Sequence, residues 1–392
     1  MTTLLHISDT HLGKRQYASE TRRDDFKQAF DQAIGIAVER EVDAVVHTGD
    51  LFDSRQPPLP ELISSLETLK RLDDADIPFY AIVGNHDRKM DDQWLDLMEM
   101  ADAADRLDHR PTVVGDVALY GIDAVRKPAW NTSDFTLASA DDQFTNILCM
   151  HQLLTPPVPE VMAEHEVVEV LDRVNLDLDG LALGDYHAAE STVVDDTKVW
   201  YAGSTERCST SEADPRTVSL VEVDDGGISR QQIELDTRPF EEITIEFGED
   251  DSYSHVEAVV DQHDVAGKVV PVNLIGERTS VSSRDVRETI QERGAAVCRV
   301  TDDRGREDIG SIGGPTGEVA DQQTVIEDRL ADADLGEFTL ELEETIRATD
   351  AKSGFDDEVE ELVEAEQTKV FENGESPSEK LDVAVAESGV DE

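Results

Sequence analysis

The 392-residue sequence has few cysteines and no long apolar run. Its three cysteines, Cys149, Cys208 and Cys298, are widely spaced and form no CxxC motif, which argues against a disulfide framework and a structural zinc site. No apolar stretch approaches the roughly 20 residues that a membrane helix needs. The first strand and its loop already occupy residues 4–11, which leaves no room for a signal peptide. We therefore expect a cytoplasmic protein without a membrane segment.

Positive charge is also scarce. The chain has 34 lysines and arginines against 89 aspartates and glutamates, for a formal net charge of −55, and only 10 of the basic residues are lysines. Because Lys and Arg neutralise phosphate backbones, this balance argues against a nucleic-acid binder unless the cations are concentrated in one place. It is typical of proteins kept soluble in molar salt, where charges are screened within about 3 Å. An ordinary acidic protein is the alternative.

Short apolar runs recur through the first 235 residues, and many end in a cluster of Asp, His, Asn and Gly, as after residues 4–7, 44–46 and 78–83. Helical patterns lie between the early runs, at residues 24–39 and 59–72. Alternating strands and helices predict an α/β sandwich, whose functional side chains collect at the carboxyl ends of its strands.

The rest of the chain is predicted to hold four further segments beyond the sandwich of residues 1–237. They are a small α+β domain (238–300), a glycine-rich flexible linker (301–320), acidic helices (321–371) and a disordered acidic tail (372–392).

Four clusters in the sandwich carry side chains that bind metals. They are Asp9-Thr10-His11, Gly49-Asp50-Leu51-Phe52-Asp53, Gly84-Asn85-His86-Asp87 and Gly184-Asp185-Tyr186-His187, and His151 stands alone. This mixed nitrogen and oxygen set suits two ions such as Mn²⁺ or Fe²⁺. Two neighbouring ions need a shared carboxylate, and Asp50 is the natural bridge. An imidazole that binds no metal, His86, would donate a proton to the leaving oxygen of a phosphate ester. Any one cluster recurs by chance, whereas four in order at strand ends indicate one metal centre.

The order of these motifs resembles the calcineurin-like metallophosphoesterase superfamily. Within it, residues 6–13, 84–88 and 201–207 resemble the Mre-eleven/SbcD family of DNA repair nucleases. The resemblance is close over residues 1–235 and only general beyond about residue 300. It implies a two-sheet αββα sandwich, a small capping domain over residues 238–300 and an acidic, partly disordered helical tail. With the acidic composition, it also suggests a halophilic archaeal source.

The resemblance further implies two Mn²⁺ ions per chain, for which Mg²⁺ or Fe²⁺ would substitute. The ligands of the first ion would be Asp9, His11, Asp50 and His187. The ligands of the second would be Asp50, Asn85, His151 and Asp185. His86 matches the catalytic histidine of the family, which is not a ligand.

Two positions depart from the family pattern. Asp185 stands where many members have a histidine ligand, and the alternative is that its carboxylate does not reach the metal. Asp53 stands where the archaeal and eukaryotic members usually have a histidine associated with exonuclease geometry. We expect Asp53 to orient a ligand, and the balance of exonuclease and endonuclease activity stays open. His6 and His47, on predicted buried strands, are expected to be core or ligand-orienting groups.

The scarce cations are concentrated in loops that should surround this centre. We predict that they contact DNA phosphates, and the alternative is ordinary salt bridging with nearby acids. These residues are Lys14, Arg15, Arg22, Arg23, Arg55, Arg88, Lys89, Arg126 and Arg207.

The function hypothesis is a two-metal phosphodiesterase that processes DNA ends or hairpins in double-strand-break repair. By resemblance it would work as a homodimer with an ATPase of the Rad-fifty/SbcC type, bound through residues 321–371. Dimer contacts are predicted at the apolar stripes of residues 62–69 and 94–98, either of which could instead face its own core. The alternatives are a small-molecule phosphodiesterase or phosphatase of the same superfamily, and a DNA-end tether with a secondary catalytic role.

Overall fold

The computed structural model describes residues 1–86, 93–141 and 143–305. Its larger part is built from 14 strands, four α-helices and two short 3-10 helices at Gln16–Ala18 and Lys127–Thr132. The strands are β1 (Thr2–Ile7), β2 (Ala44–Thr48), β3 (Phe79–Ile82), β4 (Asp105–Arg106), β5 (Thr112–Val114), β6 (Val117–Ile122), β7 (Thr145–His151), β8 (Leu154–Thr155), β9 (His165–Glu166), β10 (Gly180–Gly184), β11 (Ser191–Val194), β12 (Thr197–Tyr201), β13 (Thr217–Asp224) and β14 (Gly227–Glu234). The helices are α1 (Glu20–Arg40), α2 (Leu59–Asp73), α3 (Trp94–Met100) and α4 (Val167–Arg173).

Two six-stranded sheets form a sandwich. Their strand orders are β14-β13-β1-β2-β3-β4 and β11-β12-β10-β7-β6-β5. Their facing surfaces share one apolar core, in which Leu4 and Val46 of the first sheet join Ile147 and Trp200 of the second. Helices α1 and α2 cover the outer face of the first sheet, and α4 packs on the second. The predicted αββα sandwich is confirmed.

The parallel strands of both sheets end at the same edge, and two isolated bridges draw their loops together. Ser8, just after β1, pairs with Ser204 after β12 of the other sheet. Leu12 pairs with Phe52, which joins the loops after β1 and β2. His151 closes β7 directly opposite Gly184 at the end of β10. The clusters identified in the sequence therefore meet at one edge of the sandwich.

The apolar stripes predicted to form a dimer contact lie largely in the protein's own core. Leu62 and Leu69 of α2 and Leu95 and Met98 of α3 are buried there, because their helical spacing turns them towards the sheet. One residue of the predicted stripes, Leu97, is exposed, together with other apolar side chains on these two helices. Leu59, Ile63, Leu97 and Met100 have exposed fractions of 66%, 48%, 43% and 83%.

A smaller module follows, with strands and helices in alternation: β15 (Ile243–Phe247), α5 (Tyr253–Val260), β16 (Val269–Gly276), α6 (Ser283–Glu292) and β17 (Val297–Asp302). Its three strands are parallel and enclose a separate core with the two helices. The capping box expected at Ser282 and Asp285 is present at the start of α6. Strand β17 runs two residues into the predicted linker, whose residues 306–320 lie outside the described chain, as do the predicted helices 321–371 and tail 372–392.

Arg22 corrects one of the sequence predictions. Its side chain is fully buried, so it cannot contact a DNA phosphate. The guanidinium donates to Gln16 Oε1 (2.9 Å), Asp25 Oδ2 (2.8 Å), Glu206 Oε1 (3.1 Å) and the Arg207 carbonyl (2.9 Å). A positive sum of charges along residues 13–23 could not show that this helical position faces inwards.

The same network joins the smaller module to the sandwich. Arg238, which precedes β15, donates to both carboxylate oxygens of Asp25 on α1 and to the Gly267 carbonyl. The ring of Phe240 lies 5.1 Å from the Arg22 guanidinium carbon. Asp25 and Arg22 thus anchor the first residues of the module against α1.

None of the helices in the described part of the chain has the length and apolarity needed to cross a membrane.

Candidate metal centre

The predicted ligands stand on strained backbone. Asp9, His11, Asp50 and Asp185 have φ angles of 51°, 42°, 57° and 84°, in the left-handed region that non-glycine residues usually avoid. Each such residue costs on the order of 1 kcal/mol, and clusters of them occur where a site over-determines the backbone. Four at one sheet edge therefore mark the functional site independently of residue type.

The glycines of the motifs let these loops approach each other. A Cβ added at Gly49, whose φ is +95°, would lie 2.5 Å from Nδ1 of His151 and 2.8 Å from the backbone of Gly84. A Cβ at Gly84 would overlap the carboxylate of Asp50. The loops after β2 and β3 and the end of β7 can therefore meet only with glycine at these positions.

Two of the three imidazoles in the site make a hydrogen bond through Nδ1. His151 Nδ1 donates to the Thr48 carbonyl at 2.7 Å. His187 Nδ1 donates to Glu212 Oε1 at 2.8 Å. His11 Nδ1 lies 3.4 Å from Asp53 Oδ1 without a hydrogen bond. With the proton held on Nδ1, His151 and His187 direct the lone pair of Nε2 into the site.

These Nε2 atoms face carboxylates rather than donors. His151 Nε2 is 3.3 Å from Asp50 Oδ2 and 3.7 Å from Asp185 Oδ1, while His11 Nε2 is 3.9 Å from Asp50 Oδ2. His187 Nε2 lies 3.8 Å from Asp9 Oδ1. Imidazole lone pairs and carboxylate oxygens repel each other unless a cation lies between them. Nitrogen and oxygen donors of these types suit divalent metal ions.

His151 provides the sharpest sign that a metal belongs here. Its Nε2 is buried and, among the described residues, lacks a hydrogen-bond partner. Asp50 approaches His151 and also His11, so its carboxylate spans the two predicted groups of ligands. Asp9, His11 and Asp50 also offer three ligand atoms within 4.8 Å of one another. Asp50 is thus placed to bridge two ions.

The electrostatics of the site are those of crowded carboxylates. Burial raises the pKa of Asp185 to about 7, although His151 opposes the shift and Asp50 and Asp9 add to it. Burial also disfavours the charge on Asp50, but His151 and His11 outweigh it and hold its pKa well below the usual range. Burial lowers the pKa of His151, yet Asp50 and Asp185 prevail and raise it well above its usual value. The raised pKa values of Asp185 and His151 both favour a bound proton, which offsets the negative charge of the neighbouring carboxylates.

Three more predicted residues stand at the edge of the site. Asn85 Nδ2 lies 3.5 Å from Asp185 Oδ1. His86 is exposed, its backbone N–H donates to Asp50 Oδ1 at 2.9 Å, and its ring centroid is 5.1 Å from that of His11. Asp53 lies between His11 and Lys14, whose Nζ is 2.6 Å from Asp53 Oδ1. The seven predicted ligands, His86 and Asp53 therefore meet at one sheet edge.

The comparisons with known proteins bear on this geometry. The calcineurin-like phosphoesterase family profile matches residues 2–203. The DNA double-strand break repair protein Mre11 of Haloferax volcanii is 40% identical over 93% of this chain and 82% of its own length. The Mre11 of Halobacterium salinarum is 37% identical over 88% of this chain and 89% of its own length. The chain belongs to the Mre11 family.

This membership confirms the resemblance seen in the sequence, and it implies divalent metals. The relatives include proteins of halophilic archaea, in agreement with the acidic composition. The Mre11 of Methanosarcina mazei is 39% identical over 91% of this chain, and the match covers 59% of that protein's length.

In this Mre11-family chain, three of the predicted phosphate-binding cations are paired with acids. Lys14 pairs with Asp53, Arg15 pairs with Glu20 at 3.0 Å, and Arg23 pairs with Glu20 and Glu61. For these the salt-bridge alternative describes the structure. The remaining predicted contacts have different surroundings. Arg207 donates to the Ala213 carbonyl at 2.6 Å, Arg55 is half-buried, Arg126 is exposed, and Arg88 and Lys89 lie outside the described residues.

His6 and His47 are buried core groups with hydrogen-bond partners. His6 accepts from Trp200 Nε1 at 2.8 Å and contacts Thr48 Oγ1 at 2.8 Å. His47 contacts Thr10 Oγ1 at 3.1 Å. Burial lowers the pKa of each to about 3, so both rings are neutral at physiological pH.

Glu212 is a site residue that the sequence did not reveal. Its Oε1 accepts from His187, while its Oε2 accepts from the Cys208 backbone N–H (2.9 Å) and from Arg216 (3.2 Å). Arg216 also donates to the His187 carbonyl at 3.1 Å. Glu212 lies 25 residues after His187 in a loop without a recognisable motif, so no signal in a single sequence marks it.

We expect Glu212→Gln to weaken metal binding about 10- to 100-fold, as loss of a group that orients a ligand typically does. An amide is a weaker acceptor than a carboxylate, so the His187 ring loses its fixed tautomer and part of its basicity. Titration of the metal-free protein with Mn²⁺, followed by electron paramagnetic resonance, measures the affinity. Glu160→Gln, at an exposed position, is the control. Equal Mn²⁺ affinity in Glu212→Gln and the native chain would contradict this role.

Proposed function

We propose that this Mre11-family protein is a two-metal phosphodiesterase that cleaves DNA ends or hairpins during double-strand-break repair in the cytoplasm. One observation carries the proposal: the Nε2 atoms of His11, His151 and His187 lie close to carboxylate oxygens of Asp9, Asp50 and Asp185 at a single sheet edge. The substrate class rests on the relatives, whose name is DNA double-strand break repair protein Mre11.

The proposed ligands divide between two Mn²⁺ ions. Asp9, His11, Asp50 and His187 would hold the first ion. Asp50, Asn85, His151 and Asp185 would hold the second. The oxygen-rich second set favours Mn²⁺ or Mg²⁺ over softer ions. When bound, such a pair supplies a water of lowered pKa and neutralises charge on the phosphate.

The chain's own residues supply the remaining steps. Asp50 holds the backbone N–H of His86, which fixes the start of that loop beside the site. The exposed imidazole of His86 is then available to donate a proton to the oxygen that leaves the phosphorus. Asp53 and Glu212 hold the rings of His11 and His187 in place, so that neither ligand has to reorient during the reaction.

For the DNA path we propose phosphate contacts from cations around the site. Arg22 is removed from the predicted set because it is buried, and Lys14, Arg15 and Arg23 because they pair with acids. The remaining cations are Arg55, Arg88, Lys89, Arg126 and Arg207. At molar salt, counterion release contributes little to affinity. Binding would therefore depend on metal coordination and close hydrogen bonds, and a net charge of −55 is compatible with a DNA substrate.

We further propose that two chains form a homodimer, supported by the exposed apolar side chains of Leu59, Ile63, Leu97 and Met100 on α2 and α3. By family resemblance, residues 321–371 would bind an ATPase of the Rad-fifty/SbcC type. Residues 238–300 would form the family's capping domain, supported by the separate core of the smaller module.

The test compares two substrates in molar KCl with Mn²⁺: a labelled DNA hairpin and a small phosphodiester. We expect cleavage of the hairpin, reduced about 10²- to 10⁴-fold in His86→Ala because a positioned proton donor contributes that much. His255→Ala, on α5 of the smaller module, is the control histidine and should cleave normally.

The other outcomes separate the alternatives. Hydrolysis of the small ester alone would replace the nuclease by a small-molecule phosphodiesterase. Tight binding of the hairpin without cleavage would favour a DNA-end tether. Unchanged cleavage by His86→Ala would remove His86 from the mechanism.

A further inference from the structure

Cys208 lies in the loop after β12, beside the proposed first metal position. Its Sγ, one nitrogen of His11 and one nitrogen of His187 all lie within 4.8 Å of one another. The thiol contacts the Glu206 carbonyl at 3.6 Å and also interacts with the His187 side chain. His11 and His187 are 176 positions apart, and Cys208 follows His187 by 21 positions (208 − 187), so the fold brings the group together and no CxxC-type spacing could predict it.

The two imidazoles of this group face each other in a way that calls for a cation. Their Nε2 atoms are 3.4 Å apart, while Glu212 holds Nδ1 of His187 and Asp53 lies beside Nδ1 of His11. With both protons on Nδ1, two lone pairs converge. Two nitrogens bound to one tetrahedral zinc ion at 2.0–2.1 Å stand about 3.3 Å apart, close to the observed separation.

Glu212 also fixes the position of the cysteine. One carboxylate oxygen holds the His187 ring, and the other accepts from the backbone N–H of Cys208. A single side chain therefore sets the distance between the sulfur-bearing residue and a metal-binding imidazole. Such shared support is what a preorganised set of ligands requires.

We propose that Cys208 gives the first metal position a thiolate ligand, so that the site binds Zn²⁺ through His11, His187 and Cys208. The inference rests on the proposed metal centre and extends it to a soft ion. As the sulfur–zinc bond forms, the S–H proton passes to solvent and no electron is transferred. Asp9 or Asp50 would complete four-coordination, which leaves no position on the ion for a phosphate. Zinc loading would then inhibit the phosphodiesterase.

Co²⁺ reports thiolate ligation directly and is the first probe. We expect metal-free protein titrated with Co²⁺ to show visible d–d bands and a near-ultraviolet sulfur-to-cobalt charge-transfer band. The charge-transfer band should disappear in Cys208→Ser and persist in Cys298→Ser, a control at the half-buried cysteine of β17. Zn²⁺ affinity, measured against a chelator, should fall about tenfold or more in Cys208→Ser, because a hydroxyl is a much poorer ligand for zinc than a thiolate.

Each failure has a distinct meaning. Bound Co²⁺ without a charge-transfer band would overturn the thiolate while leaving the proposed metal centre intact. No binding of Co²⁺ would overturn both. If Cys208→Ser does not fold, alkylation of the native chain decides the question, with mass spectrometry locating the modified residue. Zn²⁺ should protect Cys208 from iodoacetamide and leave the extent of Cys298 labelling unchanged, and equal labelling of Cys208 with and without Zn²⁺ would contradict the proposal.

Discussion

Asp50→Asn is expected to lower DNA cleavage on the order of 10³-fold, because metal ions contribute several kcal/mol to such a barrier and each 1.36 kcal/mol is tenfold in rate. The substitution keeps the shape of the side chain. It replaces the anionic oxygen that approaches both His151 and His11 by an amide with fewer lone pairs for metal. Single-turnover cleavage gives the rate, and elemental analysis should find the Mn²⁺ content reduced from two ions per chain to one or fewer.

The same substitution separates a metal effect from a folding effect. Asp50 is buried beside His151, which holds the pKa of Asp50 below its usual range, so Asp50→Asn removes a stabilising partner of the His151 imidazolium in the metal-free chain. The metal-free variant should therefore unfold at a lower temperature than the native protein, and cleavage is compared below both unfolding temperatures, where each chain is folded. The matched control is Asp116→Asn, at an exposed carboxylate bound by the amino terminus at 2.9 Å. Two retained ions and a full cleavage rate in Asp50→Asn would rule out the bridging role.

The sequence was enough to predict which residues meet at this sheet edge because they obey a rule of topology. Asp9, Asp50, Asn85, His151 and Asp185 each follow or close a buried strand, and parallel strands of one sandwich end at a common edge. The glycines of the motifs added a second signal, since close approach of loops requires them. Both signals require knowing where each strand ends, and the short apolar runs in the sequence show this.

Contacts set by side-chain direction could not be predicted in this way. Charge counting grouped Arg22 with its neighbours, although α1 turns that one side chain inwards. Helical spacing gave an apolar stripe with Leu62 and Leu69, and only packing shows that it faces the protein's own sheet. Glu212 and Cys208 reach the centre through an irregular loop, where neither a period of 2 nor one of 3.6 applies.

Arg22→Met is expected to reduce the free energy of unfolding by about 3 to 5 kcal/mol, the usual cost of removing one partner from a buried ion pair. The variant keeps an unbranched apolar side chain beside the Phe26 and Phe240 rings and removes the guanidinium that lies 5.3 and 5.1 Å from their centroids. It leaves Glu206, which is 1% exposed, without the guanidinium 3.1 Å away. Urea unfolding at fixed molar KCl measures the loss, since the salt screens surface charges far more than buried ones.

The surrounding residues supply the controls and the consequence for the site. Arg284→Ala removes an exposed pair with Glu288 and should leave stability unchanged, because solvent and salt screen such pairs. Adding Glu206→Gln to Arg22→Met removes the unpaired buried carboxylate and should restore part of the lost stability.

Glu206 lies two residues before Cys208, and Ser204 donates to the Glu206 carbonyl at 2.9 Å. If Arg22 only filled space, the double variant would be no more stable than Arg22→Met. If the ion pair between Arg22 and Glu206 provides the stability, the second substitution should recover part of it. The buried Arg22 guanidinium would then stabilise the loop that contains Glu206 and leads to Glu212, the partner of His187.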